Sequence, residues 1–139
     1  MYINSCKIKV RYVETDKMGI VHHSNYYIWF EVGRTEFINA TGISYSQIEM
    51  ENLMLPVVES SCKYIEGAKY EDELTIETYI SELTPARIVF SYNVIRNQDK
   101  KILAKGSTTH AFISNDFKVL NLKKKKPDLW EKFLSLYSG

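Results

Sequence analysis

Asn25-Tyr26-Tyr27-Ile28-Trp29-Phe30-Glu31-Val32-Gly33-Arg34-Thr35-Glu36-Phe37-Ile38-Asn39-Ala40-Thr41 is the stretch whose reading decides the fold. Tyr26, Trp29, Phe30, Gly33, Phe37 and Ala40 recur at helical spacing and predict one wide apolar face. Ser24 or Asn25 is expected to cap the helix N-terminus, because a short side-chain oxygen there accepts an otherwise unpaired backbone N–H. Gly42 follows the last turn, where a left-handed residue commonly stops a helix. Gly33 costs helix stability, so its place on the apolar face predicts close approach to packed backbone.

Downstream, Ser44-Tyr45-Ser46-Gln47 is a capping-box pattern that opens a second, shorter helix to about Asn52. After Leu55 the period changes to two. In residues 73–82, Leu74, Ile76 and Ile80 alternate with Glu73, Thr75, Glu77 and Ser81; in 87–96, Ile88, Phe90, Tyr92 and Val94 share one face. Residues 101–114 form a third such segment, with 55–64 before and 117–121 after. Thr84-Pro85 and Asn97-Gln98-Asp99-Lys100 supply turns. Upstream, residues 7–13 read as a short strand and 14–24 as a loop. The tail, Lys123 to Lys126, is a charge run leading into a short helix from Pro127 to Tyr137. Strand, long helix, then a run of antiparallel strands is an α+β layout. A sheet wrapped around one long central helix best satisfies the wide apolar face.

The 139 residues fit one domain, read here as residues 1–139, and can bury a core without disulfides or a structural metal. Hydrophobic residues at 45% and charged residues at 25% describe a globular chain. A net charge of +1 gives no whole-molecule case for nucleic acid or an anionic membrane, and no helix-turn-helix pattern is present. Cys6 and Cys62 form no C-x-x-C pair and read as reduced thiols. The N-terminus has no apolar stretch of the secretory type, and Tyr26–Phe30, the densest apolar run, is far short of a membrane span. A cytoplasmic protein is expected.

The segment that carries chemistry is Tyr12-Val13-Glu14-Thr15-Asp16-Lys17-Met18-Gly19-Ile20-Val21-His22-His23-Ser24-Asn25-Tyr26. It delivers a carboxylate just before a helix N-terminus, where unpaired N–H groups and partial positive charge can stabilise an oxyanion. Gly19 lets the loop turn sharply between the two. Spacing alone marks this as a candidate acyl-transfer site and goes no further.

Thr15-Asp16, two residues, Gly19-Ile20-Val21, one residue, His23, two residues, Tyr26 resembles the signature of the 4-hydroxybenzoyl-CoA thioesterase family, and within it the YbgC-like acyl-CoA thioesterases. The similarity continues through Phe30-Glu31-Val32-Gly33-Arg34-Thr35-Glu36 and, more loosely, over residues 3–122; Lys9 departs from the Arg or Gln more usual there. The resemblance implies a hot-dog fold and hydrolysis of an acyl-CoA, or of acyl held on a carrier protein, with no cofactor. It implies Asp16 as the catalytic carboxylate, attacking the thioester or activating water. It implies that the His23 N–H polarises the thioester oxygen and that the His23 side chain lies near the reacting centre. Tyr12 is expected in the same pocket, with Gly19, Val21 and Tyr26 against the substrate. A carboxylate is anionic at neutral pH and needs no activation; one preorganised oxyanion donor is worth about 3 kcal/mol of barrier.

Arg87, at a strand start, is the first candidate for the CoA phosphates, with Lys63, Lys69 and the 123–126 run behind it. Adjacent His22 and His23 rarely point at one ion, and metal binding is not expected. His110 is expected to be packed or paired, Glu14 and Glu59 to be ordinary carboxylates, and Cys62 a buried small apolar residue. Met50, Leu53, Met54 and the helix aromatics are expected to set acyl-pocket depth. Two other readings stand beside hydrolysis: a hot-dog hydratase or dehydratase, and a non-catalytic acyl-CoA-binding or regulatory protein. Strands rich in β-branched and aromatic residues, and a loop-borne site with few polar partners, predict a site completed by a neighbouring subunit. A homodimer or dimer-based tetramer is therefore expected.

Overall fold

In the computed structural model, which describes residues 1–138, the period-two segments pair into one five-stranded antiparallel sheet. Its strands are β1 (Asn4–Lys9), β2 (Val57–Tyr64), β3 (Glu73–Thr84), β4 (Arg87–Arg96) and β5 (Lys101–Ala111), in spatial order β1-β3-β4-β5-β2. Helix α1 (Ser24–Asn39) packs against β1, β3 and β4 in the hot-dog arrangement. Helices α2 (Tyr45–Met50), α3 (Leu122–Lys125) and α4 (Pro127–Ser138) complete the layout. Among the described residues no helix is long and apolar enough to cross a membrane.

The core lies between α1 and the sheet. Phe30 stacks on Tyr92 with ring centroids 4.4 Å apart, and Phe37 meets Phe90 edge-on at 5.5 Å. Each such ring, fully buried, contributes about 2–3 kcal/mol. Gly33 is a point of close approach: a Cβ there would stand 2.5 Å from Thr78 Oγ1 and 3.0 Å from Ile76 Cγ2. What Gly33 admits is therefore the side chains of β3, not its backbone. The other face of α1 is mixed, with Tyr27, Ile28 and Val32 exposed beside Glu31 and Glu36.

Several sequence expectations need correction. The first strand occupies residues 4–9, not 7–13. Its register on β3 runs from Asn4↔Thr78 to Lys9↔Glu73; beyond it the Glu14 carboxylate accepts the Arg11 N–H at 2.8 Å and curls Tyr12–Glu14 into a 3-10 turn. Neither Ser24 nor Asn25 caps α1. The N-cap is His23, without a side-chain cap bond, and the His22 ring accepts the Ser24 N–H instead at 3.3 Å. Ala40 is exposed, and Ile38 takes the last buried place on the helix. Residues 117–121 are not a strand: Phe117, at φ 61°, lies in a tight turn closed by the Ser114 N–H on the Lys118 carbonyl, leaving one isolated bridge, Ile113↔Val119. The α2 capping box is present, with the Ser44 hydroxyl accepting the Gln47 N–H at 3.3 Å. Cys6 and Cys62 stand on the two opposite edge strands, roughly 19 Å apart at four strand spacings.

One polar string crosses this core. Arg34 donates to the Tyr92 hydroxyl at 3.1 Å, Tyr92 lies 2.6 Å from Thr108 Oγ1, Thr108 lies 2.8 Å from His110 Nε2, and His110 Nδ1 lies 2.9 Å from the Leu55 carbonyl. Buried, His110 is neutral at pH 7, with its proton on Nδ1 toward the Leu55 carbonyl. Its Nε2 then accepts from Thr108, and the bonds run one way from the Arg34 guanidinium, which only donates. Burial, with the Arg34 charge adding to it, lowers its pKa to about 4, although the Leu55 bond opposes the shift. Unfolded, the ring regains a pKa near 6.5. The unfolded state thus binds the extra proton first, so the stability contribution is complete above about pH 6.5 and disappears as pH falls toward 4. The expected loss is about 2 kcal/mol from this residue, read as urea unfolding midpoints at pH 7 and pH 4.5. An identical pH dependence in His110→Gln would assign the loss elsewhere.

Candidate active site

Residues 15–21 form a small hairpin rather than an open loop. Thr15 bridges Val21, the Asp16 N–H reaches the Ile20 carbonyl at 2.8 Å, and Gly19 turns the chain at φ +80°. The Met18 N–H donates to Asp16 Oδ1 at 2.8 Å, so the half-buried carboxylate is held from one oxygen. The hairpin lies on segment 66–69: Ile20 bridges Lys69, and the Val21 N–H bonds the Ala68 carbonyl at 2.8 Å. Gly67 makes that contact close, since a Cβ there would stand 3.0–3.2 Å from Ile20. The Tyr26 hydroxyl accepts the Ala68 N–H at 3.3 Å and ties the same segment to α1.

At the start of α1 the first turn presents its N–H groups. Those of Ser24 and Asn25 are taken by His22; the His23 N–H donates to no acceptor among the described residues. A cavity of about 230 Å³ opens here, and Asp16, Val21, His23 and Tyr26 line it together. Four of the sequence candidates are thus brought to one place, with a carboxylate-bearing residue and a residue whose backbone N–H is unused both lining the cavity. Such a pairing suits acyl transfer: the carboxylate attacks or activates water, and the N–H receives charge on the oxygen.

Two residues that the sequence reading missed share this wall, Tyr64 and Glu66. The Tyr64 hydroxyl lies 3.4 Å from the His23 carbonyl, and its ring meets Tyr26 edge-on at 5.1 Å. Glu66 is held by Lys101 at 2.6 Å and Arg96 at 2.7 Å, which draw its pKa below the usual carboxylate range. No local spacing pairs either residue with Asp16; a period-two segment merely ends at Tyr64.

Other candidates lie elsewhere. Gly19 turns the hairpin but is not on the cavity wall. Tyr12 also lies outside it: the 3-10 turn aims its ring, 75% exposed, edge-on at Tyr70. Arg87 pairs with Glu82 at 3.0 Å, at the end of β4 opposite Arg96. Ten residues of strand put it roughly 30 Å from the Glu66 wall, so within one chain it does not reach the cavity. Glu59 is exposed on β2, and His110 is enclosed in the polar string. Leu53 is in the core, whereas Met50 is exposed.

The profile of the Thioesterase superfamily matches residues 18–103. The match starts two residues after Asp16, so it does not itself speak for that residue. YneP of Bacillus subtilis (strain 168) is 33% identical over 129 residues, 92% of this chain and 93% of that protein. The acyl-CoA thioesterase YbgC of Haemophilus influenzae is 33% identical over 94 residues, 67% of this chain and 69% of that protein. Among solved structures, a DHNA-CoA thioesterase from Staphylococcus aureus superposes with a TM-score of 0.91 at 30% identity, covering 97% of this chain and 91% of that one.

Proposed function

Since the chain belongs to the thioesterase superfamily, we propose that it hydrolyses an acyl-CoA to the free acid and CoA, with Asp16 as the catalytic carboxylate. It is a thioester hydrolase; the substrate and the residue roles are our reading. The observation that carries this reading is the cavity shared by Asp16 and His23, whose N–H meets no acceptor among the described residues. In it the Asp16 carboxylate adds to the thioester carbonyl, or takes a proton from the water that adds. The carbonyl oxygen gains negative charge against the His23 N–H, the C–S bond breaks, and the CoA thiolate leaves and is protonated. Water completes hydrolysis of the acyl-enzyme anhydride if the carboxylate attacked first. Tyr26 and Val21 bound the space beside the reacting carbon, and the chain works as one hot-dog domain.

A panel of short aliphatic, long aliphatic and aromatic acyl-CoAs, read by thiol release, tests this. At least one is expected to turn over; the same acyl groups on carrier protein show whether the pantetheine alone is recognised. No thiol release from any of them, with CoA esters still bound, would favour the non-catalytic reading.

The active unit in this proposal is a homodimer joined along β2. That strand is an eight-residue sheet edge with all but one residue exposed, including Val57, Val58 and Tyr64, and it carries no proline. Such an edge is a template for pairing. The other edge, β1, turns Lys7 and Lys9 outward and is guarded by charge. Two copies of β2 pairing antiparallel about a two-fold axis must place residues from the same sheet face opposite each other. Some residue is then opposite itself. Glu59, Ser61 and Lys63 share the outer face, being paired with Thr109, Ser107 and Lys105 of β5. Centring the axis on Ser61 sets Glu59 opposite the partner's Lys63, and Tyr64 opposite the partner's Val58. Tyr64 lines the cavity, so the second copy completes its wall. The same pairing carries the partner's Arg87 to the cavity end, about 15 Å from β2 at three strand spacings. Arg87 then serves the CoA phosphates in the neighbouring subunit, not its own.

A further inference from the structure

Among the described residues Glu14 is the one acidic side chain enclosed in the fold, at 2% exposure, and it lies two residues before Asp16. Its carboxylate is fully engaged. Oε1 accepts the Arg11 N–H at 2.8 Å; Oε2 accepts the indole N–H of Trp29 at 2.9 Å and the Arg11 guanidinium at 3.4 Å. Its carbonyl accepts two more donors, the His22 N–H at 2.8 Å and the Asn25 side-chain amide at 3.0 Å. Glu14 therefore joins both feet of the Asp16 hairpin. Its backbone holds the strand that leaves the hairpin, at His22 and Asn25, and its carboxylate anchors the strand that enters to the buried Trp29 on α1.

From this we propose that Glu14 is a positioning residue, which sets the distance between the Asp16 carboxylate and the His23 N–H. The inference rests on the reading of Asp16 and His23 given above. Asp16 follows Glu14 by two residues, and His23 follows directly on the His22 amide that Glu14 receives. The two reacting groups thus hang from opposite sides of one clasp. A carboxylate fits the position because both oxygens face donors. Glutamine has the same shape but turns an amide NH₂ toward one of them, Arg11 N–H or Trp29 Nε1–H. A buried donor left facing a donor costs more than a hydrogen bond lost to water, and the strain falls on the hairpin. Misplacing a reacting group by a fraction of an ångström lowers turnover without weakening substrate binding at a distance.

Three variants read in one assay test the clasp: Glu14→Gln, Trp29→Phe and the double variant, with Asp16→Asn as control. Glu14→Gln is expected to lower kcat by about 10- to 100-fold with KM changed less than about threefold. Trp29→Phe is expected to give a smaller loss, and the double variant no more loss than Glu14→Gln alone, because both act through one bond. Amide hydrogen exchange supplies a readout independent of turnover. The His22 and Asp16 amides should exchange faster in Glu14→Gln, while the β4 amides keep their wild-type rates. Wild-type kcat together with wild-type exchange at His22 overturns the proposal. So does faster exchange throughout the sheet, which would make Glu14 a general stabiliser. Full turnover in Asp16→Asn strikes the catalytic reading instead, and the exchange data still decide whether Glu14 holds the hairpin.

Discussion

Asp16→Asn is expected to lower kcat by a factor on the order of 10² or more, with KM changed by less than about threefold. The substitution is close to isosteric, and the asparagine side-chain oxygen can still accept the Met18 N–H that Asp16 Oδ1 now accepts at 2.8 Å. The hairpin and its placement on segment 66–69 should therefore persist, and what is lost is the negative charge. An amide neither attacks a thioester usefully nor takes a proton from water. KM is spared because, in the proposed dimer, CoA is held along the cavity and across the β2 edge and not by Asp16. Stability should change little, since the carboxylate is half-exposed and makes no ion pair among the described residues. His23→Ala is expected to cost less, because the proposed oxyanion donor is a backbone N–H that alanine retains. Near-wild-type turnover in Asp16→Asn, with an unchanged circular dichroism spectrum, would dispose of the mechanism. Glu66, the cavity's other carboxylate, would be examined next in place of Glu59 and His110, which lie outside it.

The sequence spoke clearly where periodicity and local chemistry coincide. Residues 73–84 and 87–96 alternate every second position, and their strands follow that alternation, with Leu74, Ile76, Ile80, Ile88, Phe90, Tyr92 and Val94 buried. The α2 capping box needs only Ser44 and Gln47, three residues apart, and forms as written. The Asp16 to Tyr26 segment is contiguous, so a family resemblance could point to its residues before any fold was known. Legibility stopped where a residue's role depends on distant chain. Glu14 looks like an ordinary loop carboxylate until Trp29, fifteen residues on, supplies an indole N–H. Tyr64 and Glu66 reach the cavity only because β2 ends beside α1. Arg87 was placed by strand position, but strand position says nothing about which end of the sheet faces the cavity. The failed cap at Ser24 has a similar cause: its hydroxyl pairs with the ring of His22, outside the helix, at 2.8 Å.

Reversing one charge on β2 should separate the subunits, and reversing both should rejoin them. In the two-fold register centred on Ser61, Glu59 faces the partner's Lys63 and Lys63 faces the partner's Glu59. Shifting the centre to residue 60 or 62 sets neither charge opposite its counterpart, so the charge pattern selects one register. Each single substitution acts twice in a symmetric dimer. Glu59→Lys replaces two attractive contacts by two Lys–Lys contacts, as Lys63→Glu does with Glu–Glu. Exposed pairs are individually weak, but like charges held directly opposite in a ladder are unfavourable, and the doubled penalty is about 3 kcal/mol. That corresponds to roughly 10²-fold in the dimer Kd. The double variant Glu59→Lys/Lys63→Glu restores opposite charges across the axis and should return Kd to within about tenfold of wild type. Sedimentation at a series of concentrations reads all four proteins. Turnover should follow association, because in the proposed dimer the subunits share the cavity wall beside Tyr64: the single variants lose activity on dilution and the double variant keeps it. Single variants that dimerise as tightly as wild type would refute the register, and a wild-type monomer with full activity would refute the shared site.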